Sequence, residues 1–351
     1  MSTPDPNRVI RNWLFLNLGL IVLMVAVGGI TRLTGSGLSM VEWKPIMGAV
    51  PPVNEAAWQD AFDLYREFPQ YQLQNEDMNL SGFKQIFFWE YLHRMLGRLI
   101  GLVYGVPFFW FLIRGRIRGR LAGALGVGLV LGGLQGLMGW YMVKSGLVDV
   151  PHVSHFRLAA HFMLALTVLA YLTWMTLSLF PERSVEAVQR PSPSFQRLLG
   201  LFSAVLVLQI AYGAFVAGTK AGFTFNTFPK MLNHWIPPGL TSMETSWQNL
   251  FQNPISLQFI HRGLGWTLAL LAPMLWVWGL GKPWPSLLRG ALHALALLTL
   301  VQFLLGVTTL LMEVHVVPAV MHQVTACLVL MAVVSAWHGM YHAKEIGGGS
   351  G

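Results

Sequence analysis

Glu90-Tyr91-Leu92-His93-Arg94-Met95-Leu96-Gly97-Arg98 sets an acid, an imidazole and two guanidiniums near the start of a long apolar run. Ionisable side chains at membrane depth are costly, so they mark functional positions by default. On a helix, Glu90 and His93 share a face, and Gly97 lies one turn beyond His93 on that face. A single motif of this kind is ordinarily a helix end whose charges reach the headgroups. Here it recurs, with the same spacing, as Gln258-Phe259-Ile260-His261-Arg262-Gly263-Leu264-Gly265. The recurrence points to a duplicated chain, and the fold is read outward from it.

The composition is that of an integral membrane protein. Of 351 residues, 54% are hydrophobic and 11% charged, and the mean hydropathy is +0.54; a soluble domain carries about a quarter charged residues. The net charge of +8 sits mostly in loop arginines. Membrane topology explains such an excess without nucleic acid. Cys327 is the single cysteine, so one chain cannot build a disulfide or a thiolate cluster. The segment before Trp13 is too short for a transit peptide. Arg8 and Arg11 ahead of the apolar run Trp13 to Ile30 resemble a signal sequence, but the continuation of that run has a counterpart later in the chain, so it reads as an uncleaved first span. Gly347-Gly348-Gly349-Ser350-Gly351 reads as a linker remnant outside the fold.

With about 20 apolar residues needed per crossing, eight spans are predicted, at 12–33, 86–113, 121–143, 156–179, 197–219, 256–280, 289–312 and 318–340. Arg114, Arg116, Arg118 and Arg120 connect the second and third spans with no acid among them. The long connection after the first span carries Glu42, Glu55, Asp60, Asp63, Glu67, Glu76 and Asp77 against Lys44, Arg66 and Lys84. The positive-inside rule makes the arginine loop and both termini cytoplasmic and the acidic segment external. Residues 37–83 suffice for a small outer cap, with a helix from Glu55 to Glu67.

The duplication extends along the chain. Gly28 to Gly37 parallels Gly213 to Gly222, His93-Arg94 parallels His261-Arg262, Gln135 with Gly139 parallels Gln302 with Gly306, and His161 parallels His322. Both halves start on the same side, as in a parallel repeat about the membrane normal. The expected architecture is all-α: two tandem, pseudo-symmetric four-helix bundles, at 1–180 and 197–342, separated by the polar, proline-bearing stretch Pro181–Gln196.

Of eleven histidines, His93, His161, His261 and His322 match in pairs across the repeat, and each is followed four residues later by Gly97, Ala165, Gly265 or Ala326. A small residue there leaves room beside an imidazole for a flat macrocycle. Bundle cores are the usual place for such cofactors, and imidazole is a standard axial ligand of haem iron. One polar residue between spans is ordinary packing; four at equivalent positions favour two bis-histidine haem sites, one per half. A metal cluster would need carboxylates or thiolates converging on the histidines, and Glu90 alone offers itself. His293, His338 and His342 fall near the cytoplasmic ends and read as interfacial, whereas His152, His155, His234 and His315 fall in outer loops. Arg94 and Arg262 follow their histidines and suit haem propionates, as do Arg32, Arg98 and Arg157, with snorkelling to headgroups as the alternative. The halves differ three residues before the first histidine: Glu90 in one, Gln258 in the other. Glutamine keeps the shape but cannot exchange a proton near neutral pH, so the acid marks the reactive half.

Glu90-x-x-His93-Arg94, the run Gly-Gly-x-Thr-Arg-Leu-Thr-x-Ser-Gly-Leu-Ser at 28–39 followed by Trp43-Lys44-Pro45, and the duplicated eight-span layout resemble the haem A synthase family over essentially the whole chain. The resemblance implies oxidation of a peripheral methyl of haem O to a formyl group, in the bacterial inner membrane. It implies that His93 and His161 flank the substrate haem, that Glu90 is the catalytic acid beside it, and that His261 and His322 hold a resident haem b. Implied partners are an electron donor, haem O synthase and terminal oxidase assembly factors. Some relatives carry a cysteine pair in the first outer loop; this chain has none there and resembles the proteobacterial and mitochondrial subgroup. A dihaem b-type electron-transfer cytochrome would use the same four histidines but not the Glu90/Gln258 difference, and a haem transporter or chaperone would need weak ligation at one site.

Overall fold

The computed structural model describes residues 5–41, 50–146, 153–180 and 190–342, with the backbone alone at Ser145 and Gly146. Glu42, the run Trp43-Lys44-Pro45, His152, most of the interbundle stretch and the terminal glycines lie outside the described residues. Eleven α-helices carry the described chain: α1 (Arg8–Leu33), α2 (Glu55–Arg66), α3 (Pro69–Gln74), α4 (Leu80–Ile113), α5 (Gly119–Gly146), α6 (His155–Ser178), α7 (Pro193–Gly218), α8 (Ser246–Phe251), α9 (Pro254–Gly279), α10 (Ser286–Leu311) and α11 (Val316–Tyr341).

Seven of them, α1, α4, α5, α6, α7, α10 and α11, are long and apolar enough to cross a membrane. The chain is thus an all-helical membrane protein. The eighth expected span, 256–280, is present as the 26-residue α9 but is not among the seven. Arg262, Trp266, Pro273, Trp276 and Trp278 lower its hydropathy without shortening it.

Helix starts follow their capping chemistry. Asn79, Ser192 and Asn253 accept backbone N–H bonds at the heads of α4, α7 and α9, and the last two are followed by proline at the first helical position. Thr245 and Gln248 form a capping box on α8. The 34 residues of α4 reach about 51 Å at 1.5 Å per residue, well beyond a hydrocarbon core of about 30 Å. Its first turns serve the cap instead: Phe83, Ile86 and Phe87 pack with Phe62 and Tyr65 of α2 in one buried cluster. Tyr65 is fully buried, its phenol pKa raised by desolvation, and its hydroxyl is held between Gln70 and Asn75. The expected cap helix is α2, and the short α3 extends it.

The chain divides into two compact units, residues 19–165 and residues 1–18 with 166–351, whose boundaries fall inside α1 and α6. In the first, α2 packs on α4 and α4 on α5; in the second, α7, α9, α10 and α11 pack along one another.

Candidate functional site

The four repeat-matched histidines each face a glycine of a neighbouring helix. A methyl group on Gly28 of α1 would lie 3.2 Å from His93 Nε2, and one on Gly139 of α5 would lie 3.4 Å from His161 Cε1. On Gly213 of α7 it would lie 3.0 Å from His261 Cε1, and on Gly306 of α10 2.9 Å from His322 Cε1. The glycines themselves are repeat partners, 28 with 213 and 139 with 306. Sequence reasoning placed the open space at the residue four beyond each histidine on its own helix. Gly97 and Gly265 are instead filled from α1 and α7: their methyl positions would meet Met24 Cε at 3.4 Å and Gln209 Nε2 at 3.5 Å.

Glutamine amides accompany three of the imidazoles. Nε2 of Gln135, Gln209 and Gln302 lies 3.4 Å from Nε2 of His161, His261 and His322 respectively. The three amide oxygens are buried without a hydrogen-bond partner. Gln135 also donates to the His161 carbonyl at 3.1 Å. His322 Nδ1 donates to the Gln302 carbonyl at 3.0 Å, which makes Nε2 the acceptor nitrogen, the one beside the Gln302 amide. Gln209 and Met24 were not singled out in the sequence; the repeat register relative to Gly213 and Gly28 was the signal that could have found them.

His261 and His322 test whether a haem fits. Their ring centroids are 6.4 Å apart and their planes cross at 81°. Two imidazoles ligating one iron from opposite faces put their centres about 6.3 Å apart, with metal–nitrogen bonds of about 2.0–2.1 Å. Together with the backing glycines and the unpartnered amide oxygens, the pair suits a bis-histidine haem. Among the described residues no group of three or more His, Cys, Asp or Glu converges for a metal cluster.

Glu90 is 2% exposed and clamps the segment after α1 to α4. Oε2 accepts from Ser39 Oγ and from the Met40 backbone N–H, both at 2.7 Å, and Oε1 accepts from Arg94 at 2.5 Å. Arg94 also donates to the Met40 carbonyl at 2.7 Å. The second half repeats the clamp with an amide. Gln258 donates to the Phe225 carbonyl at 3.1 Å, and Arg262 donates to the Phe225 and Thr227 carbonyls, both at 2.8 Å, and to Gln258 at 3.4 Å. Both arginines, expected to meet propionates, are thus engaged by carbonyls of the segments after α1 and α7. Arg157 stacks over the Tyr141 ring at 5.1 Å.

The remaining histidines mostly stay apart from this arrangement. His155 opens α6 and His315 caps α11. His338, read as interfacial, is buried to 6% exposure; it lies 3.1 Å from Ser178 Oγ and against Trp174 and His342.

Comparison with known proteins gives the family. A family described as cytochrome oxidase assembly protein matches residues 11–334. The chain is 44% identical to a protein named haem A synthase from Nitrosospira multiformis over 334 residues, covering 94% of this chain and 93% of that one. A protein of the same name from Rhizorhabdus wittichii is 44% identical over 348 residues, covering 97% and 96% of the two chains. A third, from Bradyrhizobium sp. strain ORS 278, is 44% identical over 343 residues, covering 94% and 91%.

Proposed function

The chain belongs to the haem A synthase family and converts haem O to haem A, and from that premise we propose how its residues share the task. His93 and His161 flank the substrate haem O in the first half, 1–180, and His261 and His322 hold a resident haem b in the second, 197–342. The spacing and crossed planes of the second pair support this assignment, as do the glycines matched in both halves. Bound there, haem b would supply one-electron redox chemistry. In this reading α9 is the eighth span, each half is a four-helix bundle, and the clamps and histidines lie toward the external side. An electron donor, haem O synthase and oxidase assembly factors complete the expected partners.

Glu90 is the catalytic residue in this proposal. The observation that carries it is the matched clamp, in which the acid of one half is replaced by Gln258 in the other while the arginine and the outer-segment contacts persist. Ser39, Met40 and Arg94 fix the carboxylate three residues before His93, on the same helix face. Held there, it can move a proton at the reacting carbon or steady positive charge developing on it. The arginine and the Met40 N–H make alanine an unsuitable probe, because removing one partner of a buried pair costs about 3–5 kcal/mol.

Glu90→Gln keeps the side-chain shape and one acceptor oxygen, enough for either Arg94 or the Met40 N–H but not for both. In the purified full chain it should leave the haem content near wild type while haem O conversion falls roughly a hundredfold or more, the scale of lost acid–base help. Near-normal formation of the formyl product would reduce Glu90 to a clamp and overturn its catalytic role.

A further inference from the structure

The two halves differ again where their histidines meet the neighbouring helices. In the repeat register Met24 matches Gln209, Gly136 matches Phe303 and Arg98 matches Trp266. Met24 and Gln209 occupy the same place, against Gly97 and Gly265 respectively. Gln209 brings an amide to His261, as Gln135 and Gln302 do to their histidines. At the His93 position the counterpart is a thioether, a weak acceptor with no donor. An amide that hydrogen-bonds an imidazole fixes the tautomer and rotation of the ring; a flexible thioether packs without orienting.

The second difference is independent of the first. Trp266 of α9 and Phe303 of α10 meet at 4.7 Å between centroids, and Phe228 of the outer segment covers both, at 5.6 and 6.0 Å. Phe303 lies one helical turn before Gly306, the glycine that backs His322, so the three rings bridge the seam between α9 and α10 one turn from that pair. At the matching place on α5, Gly136 carries no side chain, and a methyl group there would meet nothing within 4 Å. A haem bound between helices leaves by breaking its iron–nitrogen bonds and passing through such a seam. Rings packed across the seam must part first; a glycine imposes no such step.

We infer that Gln209 and the Phe228–Trp266–Phe303 trio retain the haem of the second half, and that Met24 and Gly136 make the first half an exchange site that admits haem O and releases haem A. This rests on the assignment of haem b to the second half proposed above.

The test uses the full chain in detergent, purified with its haem b and mixed with excess apomyoglobin, with haem transfer followed by absorbance. Gln209→Met and Phe303→Gly should each speed the loss of haem b about tenfold, the scale of losing a packed ring contact or an orienting partner. Phe303→Leu, which keeps bulk in the seam, should hold haem b much better than Phe303→Gly. Gly136→Phe should lower kcat/KM for haem O about tenfold with haem b content intact. Unchanged transfer in Gln209→Met and Phe303→Gly overturns the inference, as does equal leakage from Phe303→Leu and Phe303→Gly or unchanged turnover in Gly136→Phe. His261→Ala separates the two levels. If it loses haem b while the retention variants behave as wild type, the inference alone fails; if it keeps haem b, the site assignment fails and takes the inference with it.

Discussion

At Gly306 and Gly213 the backbone of one helix approaches an imidazole so closely that a methyl group would stand 2.9 and 3.0 Å from ring carbon Cε1. The ring would have to move. Gly139 leaves 3.4 Å to His161, an ordinary contact. Replacing glycine by alanine in a helix interior otherwise gains about 0.5–1 kcal/mol, so any loss at these sites comes from the histidine. Gly306→Ala and Gly213→Ala should therefore weaken haem b retention about tenfold, the lower end of the range for disturbed ligand support, without loss of folded protein. Gly139→Ala should not change the haem b content. Titration of haem into the three purified variants checks the order, and equal affinities would remove the glycines from the site. The pairing of these glycines was legible in the sequence, since 28 matches 213 and 139 matches 306. That they face the histidines was not, because periodicity along one helix does not say which helix lies next to it. The partners Ser39 and Met40 of Glu90 were hidden for the same reason, fifty residues away in the chain.

α4 joins the cap to the bundle, and its sequence changes character along its length. Phe83, at 0% exposure, packs with Phe62, Tyr65 and Phe87 at 5.2–5.8 Å; seven residues later the same helix carries Glu90 and its clamp. The cap core and the clamp thus share one rigid element. Phe83→Ala should cost the cap about 3–5 kcal/mol. Cleavage of the segment 50–80 in limited proteolysis should speed up, and haem O turnover should fall while the haem b content stays unchanged. Unchanged proteolysis would show that the cap does not depend on this ring. The sequence announced the cap through its acidic composition and the α2 pattern. It did not announce where α4 begins, because Leu80 to Phe88 is apolar enough to read as either cap core or membrane.

For the molecule as a whole, the number of crossings turns on α9. Its 26 residues reach about 39 Å, enough for a core of about 30 Å, yet its tryptophans and Arg262 keep it outside the seven apolar helices. The two terminal nitrogens of Arg262 donate to the Phe225 and Thr227 carbonyls and its Nε is buried, so the guanidinium is held by protein rather than presented to lipid. That makes crossing affordable in a way hydropathy alone does not register. The one native cysteine, Cys327, is fully buried, so single cysteines can be introduced at exposed positions and labelled in intact cells with an impermeant maleimide. Asp60→Cys in the cap, Arg116→Cys in the arginine loop, Thr245→Cys before α9, Lys282→Cys after it and Glu313→Cys between α10 and α11 cover the question. If α9 crosses, positions 60, 245 and 313 label from outside, and 116 and 282 do not. If α9 lies on one side, 245 and 282 behave alike and 313 reverses. The first pattern fits the external placement proposed for the clamps and the parallel repeat; the second would break the repeat at its centre and undo the common orientation proposed for the haem sites.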